Sequence, residues 1–556
     1  MSHIMLPVGI DSFEKLRTNQ CYYIDKTGLI EELLRDKFEV NLITRPRRFG
    51  KTLAMSMFAD FFDIRRDSKA LFEGLFISEN TELCEKWMNQ WPVLYMTLKN
   101  VSGLDFESSY GLLKYTIADF CIRNSYLLQS KTVDPNDKAM FVRLAARDVD
   151  ETEVKSALHT IMRMMHQHFG KQVILLIDEY DVPLAQASEN GYYPQMLDVI
   201  SGLMGMAFKT NESLKFAVVT GCLRIAKESI FTGTNNFVNY SISDERYSSC
   251  FGFVQEEVKQ LLKDSGFEQC LGETTRWYDG YRFGSAEVYC PWDVLNYVKD
   301  LQVSEAAVPG NYWKNTSHNG ILRSFIDRTD LAVNDKFEKL LAGGCIQEKL
   351  TEDLTYDVLH ASEANLWSIL YLTGYLTIAA PGEAESFVEP GKVCLKIPNE
   401  EIKSIFADTV AVWFTDNVKA GDRNQLFEAF WNGDDVSLSR LITDMLFDTI
   451  SYYDYKEDYY HAFLAGIFTG AGYAVESNHE YGLGRPDIVI RDRKNRRAIL
   501  IEVKHSKAEE QLEPDCEAAL VQIEAKQYSR RFLKGYQSVI CYGVSFFEKE
   551  CCIRKM

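Results

Sequence analysis

The chain has 556 residues, 46% of them hydrophobic and 25% charged, with a formal net charge of −19. That length exceeds one hydrophobic core and implies about two to four domains, and the composition is that of a globular chain, not a disordered or fibrous one. The acidity counts against a general nucleic-acid coat, which would normally be basic, while leaving room for a local basic groove.

No run approaches the roughly eighteen apolar residues of a membrane span, and no charged-then-apolar leader opens the chain, so neither span nor secretion signal is expected. Thirteen cysteines, an odd number without CxxC pairs, point to reduced thiols in the cytoplasm and not to a disulfide or zinc framework.

Taken in order, Tyr22-Tyr23-Ile24-Asp25-Lys26-Thr27 precedes the helical pattern GLIEELLRD, which Asp25 or Thr27 can cap. A β-branched and aliphatic run, Val40 to Thr44, then enters an Arg-rich turn closing on Gly50-Lys51-Thr52, and an apolar-periodic helix follows. Strand, loop, Gly-Lys-Thr and helix form the arrangement that cradles nucleotide phosphates. Gly50 lets backbone N–H groups approach the phosphates, and the helix N-terminus adds its positive dipole end. Lys51 supplies a point charge for the β/γ-phosphates, and the Thr52 hydroxyl can ligate Mg²⁺. Arg47, Arg48, Phe49 and Leu53 complete the nucleotide-contacting stretch. The first glycine of the general motif would fall at position 45, where this chain has Arg45, so an ordinary strand–helix turn is the competing reading.

The segment LPVGIDSFEKLRTNQCYYIDKTGLIEELL, followed by RPRRFGKT, resembles the AAA-ATPase-like family of bacterial proteins. In that family the Arg-rich phosphate loop without its first glycine is usual, and the resemblance places the domain near STAND and archaeal-type P-loop ATPases. Such ATPases often assemble, which makes a homo-oligomer a candidate state.

Helical patterns then alternate with short strands such as Val93 to Met96, and Glu153 to Phe169 reads as a helix ending at Gly170. His159, His166 and His168 lie on it without acidic or sulfur partners at zinc spacing, so solvated helix histidines are expected. Val173 to Asp181, VILLIDEYD, is an apolar run ending in acids, as in a strand buried on both faces of a parallel sheet. Ligands bind at the carboxyl edge of such sheets. Asp178 would hold Mg²⁺ through water and Glu179 would orient or deprotonate the attacking water. A core strand with a solvated acidic turn is the plainer alternative, made less compelling by the two motifs standing in order roughly 120 residues apart.

Lys215 to Thr220 is a further buried strand, followed by Gly221, Cys222, Leu223 and Arg224. By the resemblance, this strand carries a polar sensor and Arg224 faces the γ-phosphate; a surface arginine in a turn is the alternative. Trp277 to Gly284 and Tyr289 to Trp292 form a second family hallmark, read as a packed aromatic turn docking the ATPase lid, with Asn311-Tyr312-Trp313 read likewise. Residues 335–410 offer helical patterns at Lys336 to Leu341 and Ala364 to Tyr371, then strands at Tyr375 to Ile378 and Val393 to Pro398 around a turn at 381–391. This suggests a winged-helix module that is not basic, so protein packing is as good a role as DNA reading.

Near the C-terminus, Arg485 to Ile490 and Ala498 to Lys504 flank the charged turn DRKNRR. A hairpin centred between Lys494 and Asn495 sets Asp487 opposite Glu502, with Ala498, Leu500, Glu502 and Lys504 on one face and Ile499, Ile501 and Val503 on the buried other. Opposed like charges destabilise a sheet by up to roughly 1 kcal/mol, which a divalent cation would reverse. Asp…Glu-x-Lys on a hairpin resembles the PD-(D/E)xK nuclease superfamily. The resemblance implies that Asp487 and Glu502 hold Mg²⁺ or Mn²⁺ and that Lys504 positions water or steadies charge. The helix expected over Ala518 to Tyr528 carries Gln522, Lys526 and Tyr528, similar to the backbone-contacting helix of such enzymes, and Glu457 and His461 are further candidates for the metal cluster.

The expected architecture is therefore α/β. It comprises an AAA-like P-loop NTPase domain with a parallel sheet (6–284), a helical/winged-helix linker domain (285–424) and a restriction-endonuclease-like α/β domain (425–556). Its expected cofactors are ATP and Mg²⁺, and its partner nucleic acid, DNA in preference to RNA. An ATP-regulated nuclease is the leading expectation, and a STAND-like switch that binds without cutting is the alternative.

Overall fold

In a computed structural model the described residues are 4–35, 38–224, 237–313, 336–406 and 420–556, apart from 338, 342, 355–361, 381, 384–387, 450–459, 461–462, 466, 469–472 and 478–485. The chain divides into two compact units, one of residues 1–317 with 348–378 and 389–393, the other of 318–347, 379–388 and 394–556.

The first unit is built on five strands, β1 (Val40–Thr44), β2 (Val93–Thr97), β3 (Val173–Asp178), β4 (Leu214–Gly221) and β5 (Phe237–Tyr240). They lie in the order β2-β3-β4-β1-β5, and every neighbouring pair is parallel. Every residue of β1 and β3 is buried, as a sheet covered by helices on both faces requires. Because β4 lies between β1 and β3, the ends of all three strands meet at one carboxyl edge, where the helix Lys51–Phe62 also begins. That helix is apolar nearly all round, with Met55, Met57, Phe58, Phe61 and Phe62 buried, so it is a core helix and not an amphipathic surface one.

The helix Glu151–Phe169 starts with a reciprocal capping box between Asp150 and Glu153 and stops at Gly170, whose φ of 65° ends the helical path. Its histidines differ from the solvated expectation: all three are half-buried, His166 bonds the Ser213 hydroxyl and His168 packs on Tyr126 and Phe169. Packing against neighbouring elements, which helical period alone does not reveal, supplies that cover.

The short hairpin β6 (Tyr281–Phe283) and β7 (Ala286–Val288) follows the aromatic stretch. Tyr278 and Tyr289 lie in a core with Val258, Leu262, Tyr297 and Leu301, which is the packed aromatic turn expected there. Gly284 has φ +50°, and a Cβ there would come within 2.8 Å of the Asp244 carbonyl oxygen, so backbone contact excludes a side chain. In the middle region are the helix Glu363–Leu372 and three short strands, β8 (Ile346–Glu348), β9 (Thr377–Ile378) and β10 (Val393–Lys396), with Ala379 N–H donating to the Cys394 carbonyl at 2.9 Å.

The second unit carries a mixed sheet of β11 (Ala474–Ser477), β12 (Ile488–Asp492), β13 (Arg497–His505), β14 (Ser538–Phe547) and β15 (Glu550–Lys555) in that spatial order. Only the β13–β14 pairing is parallel. In the β12–β13 hairpin Ile488 pairs with Ile501 and Asp492 with Arg497, and the Asp492 carboxylate ties the turn by accepting from Asn495 and Arg497.

One expectation is corrected here. Ala498 and Leu500, assigned to the charged face, are as buried as Ile499 and Ile501. They pack with Val489, Ile523, Tyr528 and Phe532, because the helix Leu512–Ala525 and the 3₁₀ turn Tyr528–Lys534 cover that face. The helix ends at Ala525, so Tyr528 belongs to that turn and not to the helix expected over Ala518 to Tyr528. Contact between helix and sheet is close enough that a Cβ on Gly543 would lie 2.3 Å from the Cys516 carbonyl oxygen.

Candidate active sites

The loop between β1 and the helix Lys51–Phe62 turns back on itself through two left-handed residues, Arg48 (φ 73°) and Gly50 (φ 88°). Gly50 occupies the cap of the helix, leaving its first N–H groups facing the loop without a side-chain cap. The Lys51 ammonium lies inside the loop and donates to the carbonyls of Arg45 and Pro46, both at 2.9 Å. It is also 3.7 Å from the Cys222 sulfur. The Thr52 hydroxyl donates to Asp178 Oδ2 at 2.8 Å, joining the loop to the end of β3. Leu53, a candidate contact, is half-buried in the first turn of the helix.

Arg45 stands where the general motif has glycine, and its position explains the departure. Its guanidinium is fully buried and donates to five carbonyls, those of Thr44, Tyr240, Ser241, Arg246 and Tyr247. The rings of Phe251 and Phe283 flank it at 5.4 Å. Burial pulls its pKa down to about 10, so it remains charged at neutral pH. Arg45 thus acts as an internal clamp on the segment after β5. Phe49, expected to contact nucleotide, is buried and packs its ring 5.0 Å from Tyr281 and from Phe283, anchoring the loop to the β6 strand. The Arg48 guanidinium lies over the Trp292 ring at 4.2 Å, and Arg47 beside it is half-buried.

At the end of β3, Asp178 is sealed from solvent, and its second oxygen accepts from the Thr220 hydroxyl of β4 at 2.6 Å. Glu179 follows in a left-handed conformation (φ 54°), an arrangement costly for a non-glycine residue and sustained only where surroundings enforce it. Burial pushes its carboxyl up, and the Lys51 charge partly opposes that. Asp181 accepts the N–H groups of Cys222 and Leu223 at 2.9 and 3.1 Å and so sets the turn leaving β4. Neither this brace nor the Arg45 cage carries a signal in sequence, since both depend on strands that meet only in the fold. Arg224 is paired with Asp353, 2.7 Å apart.

In the second unit Asp487 stands just before β12, and its Oδ2 accepts the Val503 N–H at 2.7 Å, which sets its carboxylate at the hairpin edge beside Glu502. The Glu502 side chain is sealed from solvent; one oxygen accepts from the Gln522 amide and lies 3.5 Å from the Lys504 ammonium. The other, Oε2, has no hydrogen-bond partner among the described residues. Burial first and the neighbouring Asp487 charge second push the Glu502 carboxyl up to about 7. A buried carboxylate oxygen without a donor, next to a like charge, is a donor set that a hard divalent cation fits. Among the described residues no third acidic, His or Cys side chain joins these two, and Glu457 and His461 lie outside the described residues.

Comparison with known proteins agrees with this division. The family model for a predicted AAA-ATPase matches residues 7–231, and the model of the PD-(D/E)XK nuclease superfamily matches residues 455–556. An uncharacterized protein in the vnfD 5′ region of Azotobacter chroococcum mcd 1 is 24% identical over 560 residues, spanning 98% of this chain and 97% of its own length. The likeness therefore runs through both matched regions and the stretch between them. The chain carries an AAA-ATPase-like domain followed by a domain of the PD-(D/E)XK nuclease superfamily.

Proposed function

We propose that this chain is a nucleotide-regulated nuclease: an ATP-binding and ATP-hydrolysing domain (6–284) and a linker domain (285–424) control a Mg²⁺-dependent phosphodiesterase domain (425–556). DNA is its preferred substrate over RNA. The observation that carries the reading is Glu502, whose sealed carboxylate lies beside Asp487 and Lys504 and has one oxygen without a partner among the described residues.

In the first domain Lys51 and the N–H groups beginning at Gly50 would hold the β- and γ-phosphates, with Arg47, Arg48 and Leu53 bordering the triphosphate. Thr52 and Asp178, already joined by a hydrogen bond, would hold its Mg²⁺. Glu179 is held next to Lys51 by a strained backbone and would align the attacking water, while Arg224 would exchange Asp353 for developing phosphate charge. In the nuclease domain Asp487 and Glu502 would hold the cation, with Glu457 as a candidate third ligand. Bound there, Mg²⁺ or Mn²⁺ supplies Lewis acidity and a more acidic water. Lys504 would balance the negative charge that develops on phosphate, and Gln522 keeps Glu502 aimed at the site.

The test is a cleavage screen of purified protein on single- and double-stranded DNA and RNA with Mg²⁺ or Mn²⁺, with and without ATP. Cleavage abolished by Lys504→Ala and modulated by Lys51→Ala supports the reading. Tight Mn²⁺ binding without cleavage of any substrate would instead favour a switch that binds and does not cut.

A further inference from the structure

Three of the arginines in and around the phosphate loop are held in different ways. Arg45 is locked among five carbonyls and Arg224 is paired with a carboxylate. Arg48 is surface-exposed, and among the described residues its guanidinium has an aromatic face for a partner, the Trp292 ring at 4.2 Å. Its backbone is left-handed (φ 73°) two residues before Gly50. The Cys290 thiol reaches the Arg48 carbonyl at 3.9 Å, so backbone and side chain both touch the start of the helix Pro291–Val303. Glu179, Asp293 and Arg47 all lie close enough to perturb the charge on Arg48.

We propose that Arg48 is a phosphate-responsive cation: it rests on Trp292 and transfers to the terminal phosphate of a bound nucleoside triphosphate. This deepens, and rests on, the nucleotide-site reading above. A guanidinium over a ring at the protein surface is held weakly, whereas a guanidinium–phosphate pair is charge-assisted and bidentate. A triphosphate seated on Lys51 therefore draws Arg48 off the ring. That movement places a second cation beside the phosphate that Glu179 faces, and it removes the side-chain half of the loop's contact with the start of the helix Pro291–Val303. Trp292, outside the stretch matched by the ATPase family model, becomes the residue that reports the nucleotide state.

The experiment compares the full-length protein with Arg48→Ala, Arg48→Lys and Trp292→Phe. Binding of a fluorescent ATP analogue, single-turnover ATP hydrolysis, and the tryptophan emission lost in Trp292→Phe are measured for each. In the wild type, ATP changes that Trp292 emission and ADP changes it less. Arg48→Ala abolishes the change and slows hydrolysis roughly 10²-fold, while analogue affinity shifts less than about fivefold. Arg48→Lys, a point charge that stacks poorly, restores part of the rate and little of the optical change. Normal analogue binding with silent Trp292 emission and wild-type hydrolysis in Arg48→Ala overturns the inference alone. Absence of analogue binding in the wild type overturns the nucleotide site itself and the inference with it.

Discussion

Asp178 closes β3 and Glu502 sits late in β13, both in five-stranded sheets and both sealed from solvent, yet their oxygens have different company. Each oxygen of Asp178 accepts a neutral hydroxyl, one from the helix Lys51–Phe62 and one from β4. Glu502 has an amide and a distant ammonium on one oxygen, none of the described residues on the other, and a like charge as neighbour. The first carboxylate is held in position by the fold itself. The second is an electrostatic liability that a bound cation would relieve. On the function proposed above, the two acidic sites use opposite strategies, prior organisation in one and dependence on the ligand in the other.

The sharpest way to break this contrast is to neutralise each carboxylate. Glu502→Gln should lower nucleic-acid cleavage by at least about 10³-fold while raising the denaturant midpoint of the metal-free protein, because it removes a buried charge. Asp178→Asn should lower that midpoint, with a loss of roughly 1 kcal/mol in unfolding free energy, since its amide group opposes hydroxyls that donate. A fall in both midpoints would erase the distinction.

Next in size is the clamp beside the first site. Arg45→Met leaves five carbonyls without their donor and should cost roughly 3 kcal/mol or more in urea unfolding, whereas Arg48→Ala should cost less than about 1 kcal/mol. Equal costs would show that Arg45 is not the buried anchor.

The third test is pH. The Glu502 carboxyl titrates near 7 in the folded chain, above the roughly 4.3 of an unfolded glutamate, so the folded state binds the proton more tightly. Its contribution to stability is fully present below about pH 4.3 and is lost as pH rises to about 7, by up to roughly 3 kcal/mol without metal. Divalent-metal affinity should run the other way, falling about tenfold for each unit below pH 7 as the proton competes. Glu502→Gln should flatten both profiles, which calorimetric Mn²⁺ titrations and unfolding curves at several pH values would show.

The smallest effect concerns one hydroxyl. Thr220→Val removes a donor from Asp178 and should slow ATP hydrolysis about tenfold with little change in nucleotide affinity, as single-turnover kinetics would reveal.

What could be read from the residues alone was everything local or periodic. The unbroken apolar run at β3 announced a buried parallel sheet, the aliphatic runs at β1 and β4 announced further strands, and Gly50-Lys51-Thr52 announced the loop and the start of its helix. The turn DRKNRR determined the β12–β13 register, because period-two alternation lets a turn centre place every residue opposite its partner. Tertiary structure alone decided which carboxylate would be satisfied and which would not. Thr220 meets Asp178 because β4 lies between β1 and β3, Arg45 finds carbonyls contributed from about 200 residues later, and Leu500 is covered because a helix packs over its face. Periodicity tells a residue which side of its own strand it occupies, but the burial of that side, and the partners waiting there, depend on elements distant in sequence.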